Sequence, residues 1–257
     1  MEIILICVVA FFASVLTFFS GYGLGTILLP VFSIFFPVEL AIAMTAIVHL
    51  LNNIFKLALV GTRINMQVLF RFGLPSVIAS FIGAILLTRL ADLQPVGSYM
   101  VGTTVFEISP LKLTIGIVLL FFAFLEWFPG LLKIGRGRGV LFTGGLLSGF
   151  FGGLTGNQGA LRSAFLIRAE LSKDAFIATG VAIACLVDVA RLFVYSGRMS
   201  IIDQNGEYLV IIAASFSAFA GAVLGNRLLR KITLKSLQLF VTLLLIIYSG
   251  LLMAGIL

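Results

Sequence analysis

Apolar stretches recur along the chain, separated by breakers, near residues 3–20, 24–36, 40–60, 67–88, 111–128, 139–153, 160–170, 175–195, 208–225 and 236–256. Most approach the ~20 apolar residues that a helix needs to cross a hydrocarbon core of about 30 Å. Segments 24–36, 139–153 and 160–170 are shorter. As helix they reach only about 16 to 22 Å, so they predict half-helices or limbs of re-entrant hairpins. Two longer polar interruptions, 91–110 and 198–207, carry turn signals, Asn205-Gly206 among them. These suit a short hairpin or cap.

The pattern repeats. "GAILLTRL" at 83–90 matches "GAVLGNRL" at 221–228, with Gly, Ala, Leu, Arg and Leu shared at an offset of 138. "SGYG" at 20–23 echoes "SGFF" at 148–151, and "VELA" at 38–41 and "KDAF" at 173–176 each place one acidic residue at a helix start. Asn53, Lys56 and Arg63 correspond to Asp188, Arg191 and Arg198 at a constant offset of 135. The chain reads as a single transmembrane domain, 1–257, with internal repeats of approximately 1–130 and 131–257. Each repeat would hold a broken or re-entrant helix followed by three transmembrane helices, about eight to ten helical segments in all. Drawn this way, inner loops and helix ends carry 13 of the 17 basic residues and outer ones carry 4, as the positive-inside rule expects. An odd number of spans per repeat inverts one repeat relative to the other. The predicted fold class is all-α, a polytopic integral membrane protein of two inverted repeats.

Composition narrows the function. Hydrophobic residues make up 61% of the chain and charged residues 11%, against roughly 45–50% and 25% in a soluble domain, which leaves no room for a soluble domain. The net charge of +7 comes from basic residues scattered at the ends of apolar segments, so no basic surface tracks a nucleic acid. The first residues, "MEIILICVVAFFASVLTFF", lack a basic start before the apolar run and predict a retained span rather than a cleaved signal. Cys7 and Cys185 are isolated, without metal-like or redox spacing. With no Ser-His-Asp set, no HExxH and no carboxylate cluster, no catalytic residues, metal site or cofactor are expected, and the chain reads as a non-enzyme.

The chemistry concentrates in "GFFGGLTGNQGALRS", residues 149–163. Gly145, Gly149 and Gly153 are spaced four apart, and small residues at that spacing let helix backbones approach closely in lipid. Beyond them, Gly156, Asn157, Gln158 and Gly159 continue a helix poorly and predict a break. The second half-helix would begin with free N–H groups and a partial positive charge, which attract an anion. Asn157 and Gln158 add amide donors, and Arg162 adds a planar fork suited to oxyanions. The competing reading makes Arg162 an anchor snorkelling to the inner interface. The first-half counterpart, "GYGLGTILLP" at 21–30, offers the hydroxyls of Tyr22 and Thr26.

His49, the only histidine, shares a helical face with Asn52 and Asn53,. It could shuttle a proton or make a packing hydrogen bond. Asp188 and Arg191, three apart, read either as a structural ion pair or as groups lining a pathway. The repeat would set Asn53 and Lys56 toward the inner face and Asp188 and Arg191 toward the outer one, as two gates.

The paired halves "SGYGLGTILLPVFSIFFPVELAIAMTAIVHLLNN" and "LSGFFGGLTGNQGALRSAFLIRAELSKDAFIATGVAIA" resemble the sulfite exporter TauE/SafE family of membrane permeases over nearly the full chain. Its paired glycine-rich segments map onto Gly21, Gly23 and Gly25, and onto Gly152, Gly153, Gly156 and Gly159. As in many relatives the first segment leads to Pro30; at that point the second carries Arg162-Ser163 instead. The resemblance implies a multi-pass secondary transporter in the bacterial inner membrane that exports small anions such as sulfite or organosulfonates by alternating access. It leaves open coupling to protons or sodium and a homo-oligomer. Its partners would be the anion and the lipid bilayer, not nucleic acid. Two other classes fit the same residues, a passive anion channel and a non-transporting membrane assembly factor.

Overall fold

The computed structural model describes residues 2–18, 23–128, 134–135, 137, 139–197, 207–228 and 234–257. Helix α1 (Glu2–Thr17) is followed by α2 (Leu24–Phe35), which is entered through Gly23 at φ 111° and left at Phe36 before Pro37. The long helix α3 (Val38–Val60) then leads through a 3-10 turn at Gly61–Arg63 into α4 (Met66–Val68). A π-helical stretch, Leu69–Gly73, joins α4 to α5 (Leu74–Ala91), and together they form one span. After a hairpin come α6 (Pro110–Trp127), α7 (Val140–Thr155), α8 (Gly159–Leu166), α9 (Lys173–Tyr195), α10 (Glu207–Leu228) and α11 (Leu234–Met253).

Five of these helical stretches are long and apolar enough to cross a membrane: Val38–Arg63, Met66–Ala91, Pro110–Trp127, Lys173–Tyr195 and Glu207–Arg227. The protein is therefore an all-α polytopic membrane protein. The segments whose length falls short of a span in the sequence, 24–36, 139–153 and 160–170, are α2, α7 and α8, of 12, 16 and 8 residues. Helix α1 is also shorter than its apolar run, ending at Thr17, whose Oγ1 donates to the Ala13 carbonyl at 2.6 Å.

The hairpin expected in 91–110 is present. Strands β1 (Gly97–Val101) and β2 (Thr104–Ile108) pair antiparallel, with Gly97 opposite Ile108 and Val101 opposite Thr104. The Tyr99 hydroxyl donates to the Ala254 carbonyl at 2.6 Å, which ties the hairpin to the last residues of the chain. Of the second polar interruption, 198–206 lie outside the described residues, and Glu207 begins α10.

Glycines set the closest helix contacts. A Cβ on Gly145, Gly149 or Gly153 of α7 would strike the carbonyls of Phe72, Ser76 and Ser80, so the two backbones touch over successive turns. Gly83 of α5 lies against the Phe150 carbonyl of α7. On the other side, Gly221 of α10 lies against the Phe11 carbonyl of α1, and α6 packs along α11. Between these pairs run α3 and α9, each of 23 residues, with Glu39 and Asp174 in their first turns.

Helix α6 starts on a capping serine: Ser109 Oγ accepts from the Lys112 N–H at 3.2 Å, with Pro110 at the first helical position. Ser109→Ala is expected to lower stability by about 1 kcal/mol, read as a small drop in the melting temperature of the purified protein.

Candidate anion-binding site

Helix α7 stops at Thr155 because Gly156 turns left-handed, φ 77°, while its N–H still bonds the Gly152 carbonyl at 3.0 Å. Thr155 Oγ1 accepts from the Asn157 N–H at 3.3 Å. The Gln158 carbonyl accepts the Arg162 N–H at 2.9 Å and the Ser148 hydroxyl at 3.2 Å, which opens α8. The break predicted at Gly156–Gly159 is real, and it is deeply buried: Asn157 is 3% exposed and Gln158 1%.

Side chains from four helices converge on it. From α2, Thr26 Oγ1 donates to Asn157 Oδ1 at 3.0 Å. A Cβ built on Gly25 would lie 3.7 Å from His49 Cδ2 and 3.9 Å from the Gly156 carbonyl, so α2 brings α3 up to the break. From α9, the Arg191 guanidinium lies against Gly156, and its Nε and Nη2 reach Asp188 Oδ1 at 3.0 and 2.8 Å. The other carboxylate oxygen, Oδ2, sits 2.6 Å from His49 Nδ1 and accepts from Asn53 Nδ2 at 3.5 Å.

The electrostatic balance is uneven. Lys56, Arg162 and Arg191 are all buried, and Arg191 pairs with the buried Asp188 carboxylate. Arg162 lies close enough to Lys56 for repulsion and close enough to Asp188 for attraction. Helix α9 makes room for Arg162 at Gly180, where a Cβ would stand 3.7 Å from its Nε. Lys56 Nζ lies 5.5 Å from the Phe18 ring centroid. With the Asn52 amide oriented to satisfy its neighbours, Asn52 donates to Ser14 Oγ and the Ala218 carbonyl and accepts from Lys56 Nζ at 3.3 Å. Burying like charges together is costly unless an anion is present to offset them.

Three amide atoms at the break lack protein partners. Asn157 Nδ2, Gln158 Nε2 and Gln158 Oε1 are buried without a hydrogen bond, as is Thr45 Oγ1. Buried polar atoms are normally satisfied. Asn157 Nδ2 and Gln158 Nε2 are thus unpartnered donors close to the buried Arg162 and Arg191.

The structure thus gathers Gly156, Asn157, Gln158, Thr26, His49, Asn53, Asp188 and Arg191 by direct contact, with Arg162 in electrostatic reach. Gly159 opens α8 in the same break. Tyr22 and Gly21 lie outside the described residues. Arg162, at 3% exposure, is no interfacial anchor. Nor do Asn53 and Asp188 stand at opposite faces, since α3 and α9 meet where these side chains point and leave them 3.5 Å apart. Thr45 and Tyr195 are additions. Thr45 lies one turn before His49 and faces Gly25, and the Tyr195 hydroxyl donates to the Gly153 carbonyl at 2.6 Å, one turn after Arg191. Each is a polar residue one turn from a candidate, which is the signal that could have found them.

Gly156→Ala is expected to abolish function while sparing membrane insertion. A left-handed residue with a side chain costs about 1–2 kcal/mol, and the new Cβ would strike Arg191. Transport by the purified variant in liposomes checks this.

The family model described as Sulfite exporter TauE/SafE matches residues 6–253 of the 257. Comparison with curated proteins and with solved structures finds no match. A model that spans nearly the whole chain, together with the multi-pass helical fold and the buried cation cluster, identifies the kind of molecule this is. The chain belongs to the sulfite exporter TauE/SafE family of membrane permeases.

Proposed function

We propose that this protein is a secondary transporter of small oxyanions, of the sulfite and organosulfonate class, which carries them across the bacterial inner membrane by alternating access. One observation supports it above the others: the helix break at Gly156–Gly159 presents unpartnered buried amide atoms of Asn157 and Gln158 beside the buried Arg162 and Arg191, with Lys56 in electrostatic reach of Arg162. Such a site favours an anion with several oxygen acceptors. The binding set is Gly156, Asn157, Gln158, Gly159 and Arg162 with Thr26 and Tyr22; His49, Asn52, Asn53, Asp188 and Arg191 flank it.

Alternating access rests on the two repeats. They are supported by the equal lengths of α3 and α9, and by the exchange of partners in which α1 packs on α10 and α7 on α5. Gly83 meets the Phe150 carbonyl and Gly221 the Phe11 carbonyl, so each of the paired glycines packs on a backbone carbonyl of the other repeat. Setting aside the buried Lys56, Arg162 and Arg191 leaves eleven basic residues assigned inside and three outside, a bias that still favours the inverted arrangement,. Halves related in this way can rock around a fixed central site.

The test is sulfite flux in liposomes that hold the purified protein. A transporter gives saturable flux and exchange of internal for external sulfite. Flux that rises linearly without saturation would identify a channel, and flux equal to that of protein-free vesicles would identify a non-transporting factor.

A further inference from the structure

His49 is the only histidine, and it is buried at the contact between α3 and α9 with its Nδ1 2.6 Å from Asp188 Oδ2. Asp188 Oδ1 is held by Arg191, and the far side of the same guanidinium lies against Gly156. One arginine therefore spans the carboxylate and the helix break. Nothing in the anion-binding reading requires an imidazole there, since an amide would satisfy Asp188 equally well.

We propose that the His49–Asp188 pair is the proton-coupling element, and that a proton and the anion bind together and cross in the same direction. The inference rests on the anion-transport reading above. An anion at the break draws on the Arg191 charge that otherwise serves Asp188. With that charge drawn away, the carboxylate holds a protonated His49 imidazole more firmly than before. The other charged group facing the pair acts with the same sign: Arg162 from α8 repels a proton on it, and an anion offsets that charge. Cys185 and Tyr195 on α9 add no charge that opposes this, and α2 presents Gly25. Because linkage is reciprocal, a proton on the pair strengthens anion binding by the same factor. No bond to the anion forms or breaks: one proton enters the pair and one leaves it per cycle. The net direction follows the combined gradients.

The experiment uses the full chain in liposomes with the membrane potential clamped to zero. The probe is radiolabelled sulfite in the alkaline range, where it is a dianion, with the signal of protein-free vesicles subtracted. With a more acidic exterior, the wild type is expected to accumulate sulfite about tenfold per pH unit for one proton per anion. His49→Gln keeps a donor toward Asp188 but cannot take up a proton. Its accumulation ratio is expected to fall to one, whatever rate of sulfite exchange it keeps at equal pH. Accumulation by His49→Gln equal to the wild type would overturn the inference. Absence of sulfite exchange in the wild type would instead overturn the transport reading beneath it.

A second readout needs no variant. Titrating the weakly buffered wild-type protein with pH-matched sulfite is expected to raise the pH as protons are taken up on binding. Anion binding without that rise would also overturn the inference.

Discussion

Replacing Arg162 by Gln is expected to weaken sulfite binding about 10- to 100-fold. A charge-assisted hydrogen bond of this kind contributes about 1.5–3 kcal/mol, and each 1.4 kcal/mol is tenfold in affinity. Arg162 is the one side chain of the cluster carried by α8, the half-helix that begins at the break, and it is 3% exposed. The same substitution relieves repulsion against Lys56 and gives up attraction to Asp188. The two effects oppose each other, so the variant should fold about as well as the wild type while losing ligand. This pairing of effects separates a binding role from a structural one: the melting temperature without anion holds, and the upward shift given by sulfite disappears. Arg162→Lys restores the charge without the planar fork, so it should recover part of the shift. A full anion-induced shift in Arg162→Gln would remove Arg162 from the site.

Gly149→Val is expected to have the opposite profile, a loss of the fold itself. A Cβ at Gly149 would overlap the backbone of Ser76, with Gly145 and Gly153 in equally close contact one turn to either side. Helices α5 and α7 would have to separate along their whole interface. Overpacking costs about 1–3 kcal/mol where side chains can adjust, and here the obstacle is backbone, which cannot. Gly149→Val should therefore fail to yield a monodisperse protein in detergent. Gly250 of α11 is the control, because a Cβ there meets nothing within 4 Å. Gly250→Ala should be neutral or stabilising by up to about 1 kcal/mol, the cost of glycine in a helix interior. If both variants behave alike, the glycine contacts are not what holds α5 to α7.

Much of this was legible in the sequence because the physics involved is local. The lengths of apolar runs gave away α2, α7 and α8 as too short to span, and the four-residue spacing of Gly145, Gly149 and Gly153 announced a backbone contact. The break at Gly156 could be read from a run of residues that serve a helix poorly. The contacts between distant segments could not. Nothing local states that His49 reaches Asp188, 139 residues on, or that Thr26 bonds Asn157. These pairings arise because α2 and α3 fold onto α8 and α9, and their geometry is tertiary. Lys56 is the clearest case. Beside Arg63 it reads as one of several basic residues at an inner helix end, yet it is 5% exposed, bonds Asn52 and lies in electrostatic reach of Arg162. The partner that decides its surroundings, Arg162, is more than a hundred residues away in the chain.

The most direct test is to locate an anion in the protein. Selenite has the shape and charge of sulfite and scatters anomalously at the selenium edge, so crystals grown with it would mark the site without interpretation of weak density. The account predicts a single strong peak at the helix break, within hydrogen-bond distance of the Asn157 and Gln158 amides and of Arg162. A peak elsewhere in the bundle, in a protein that still exchanges selenite in liposomes, would contradict it.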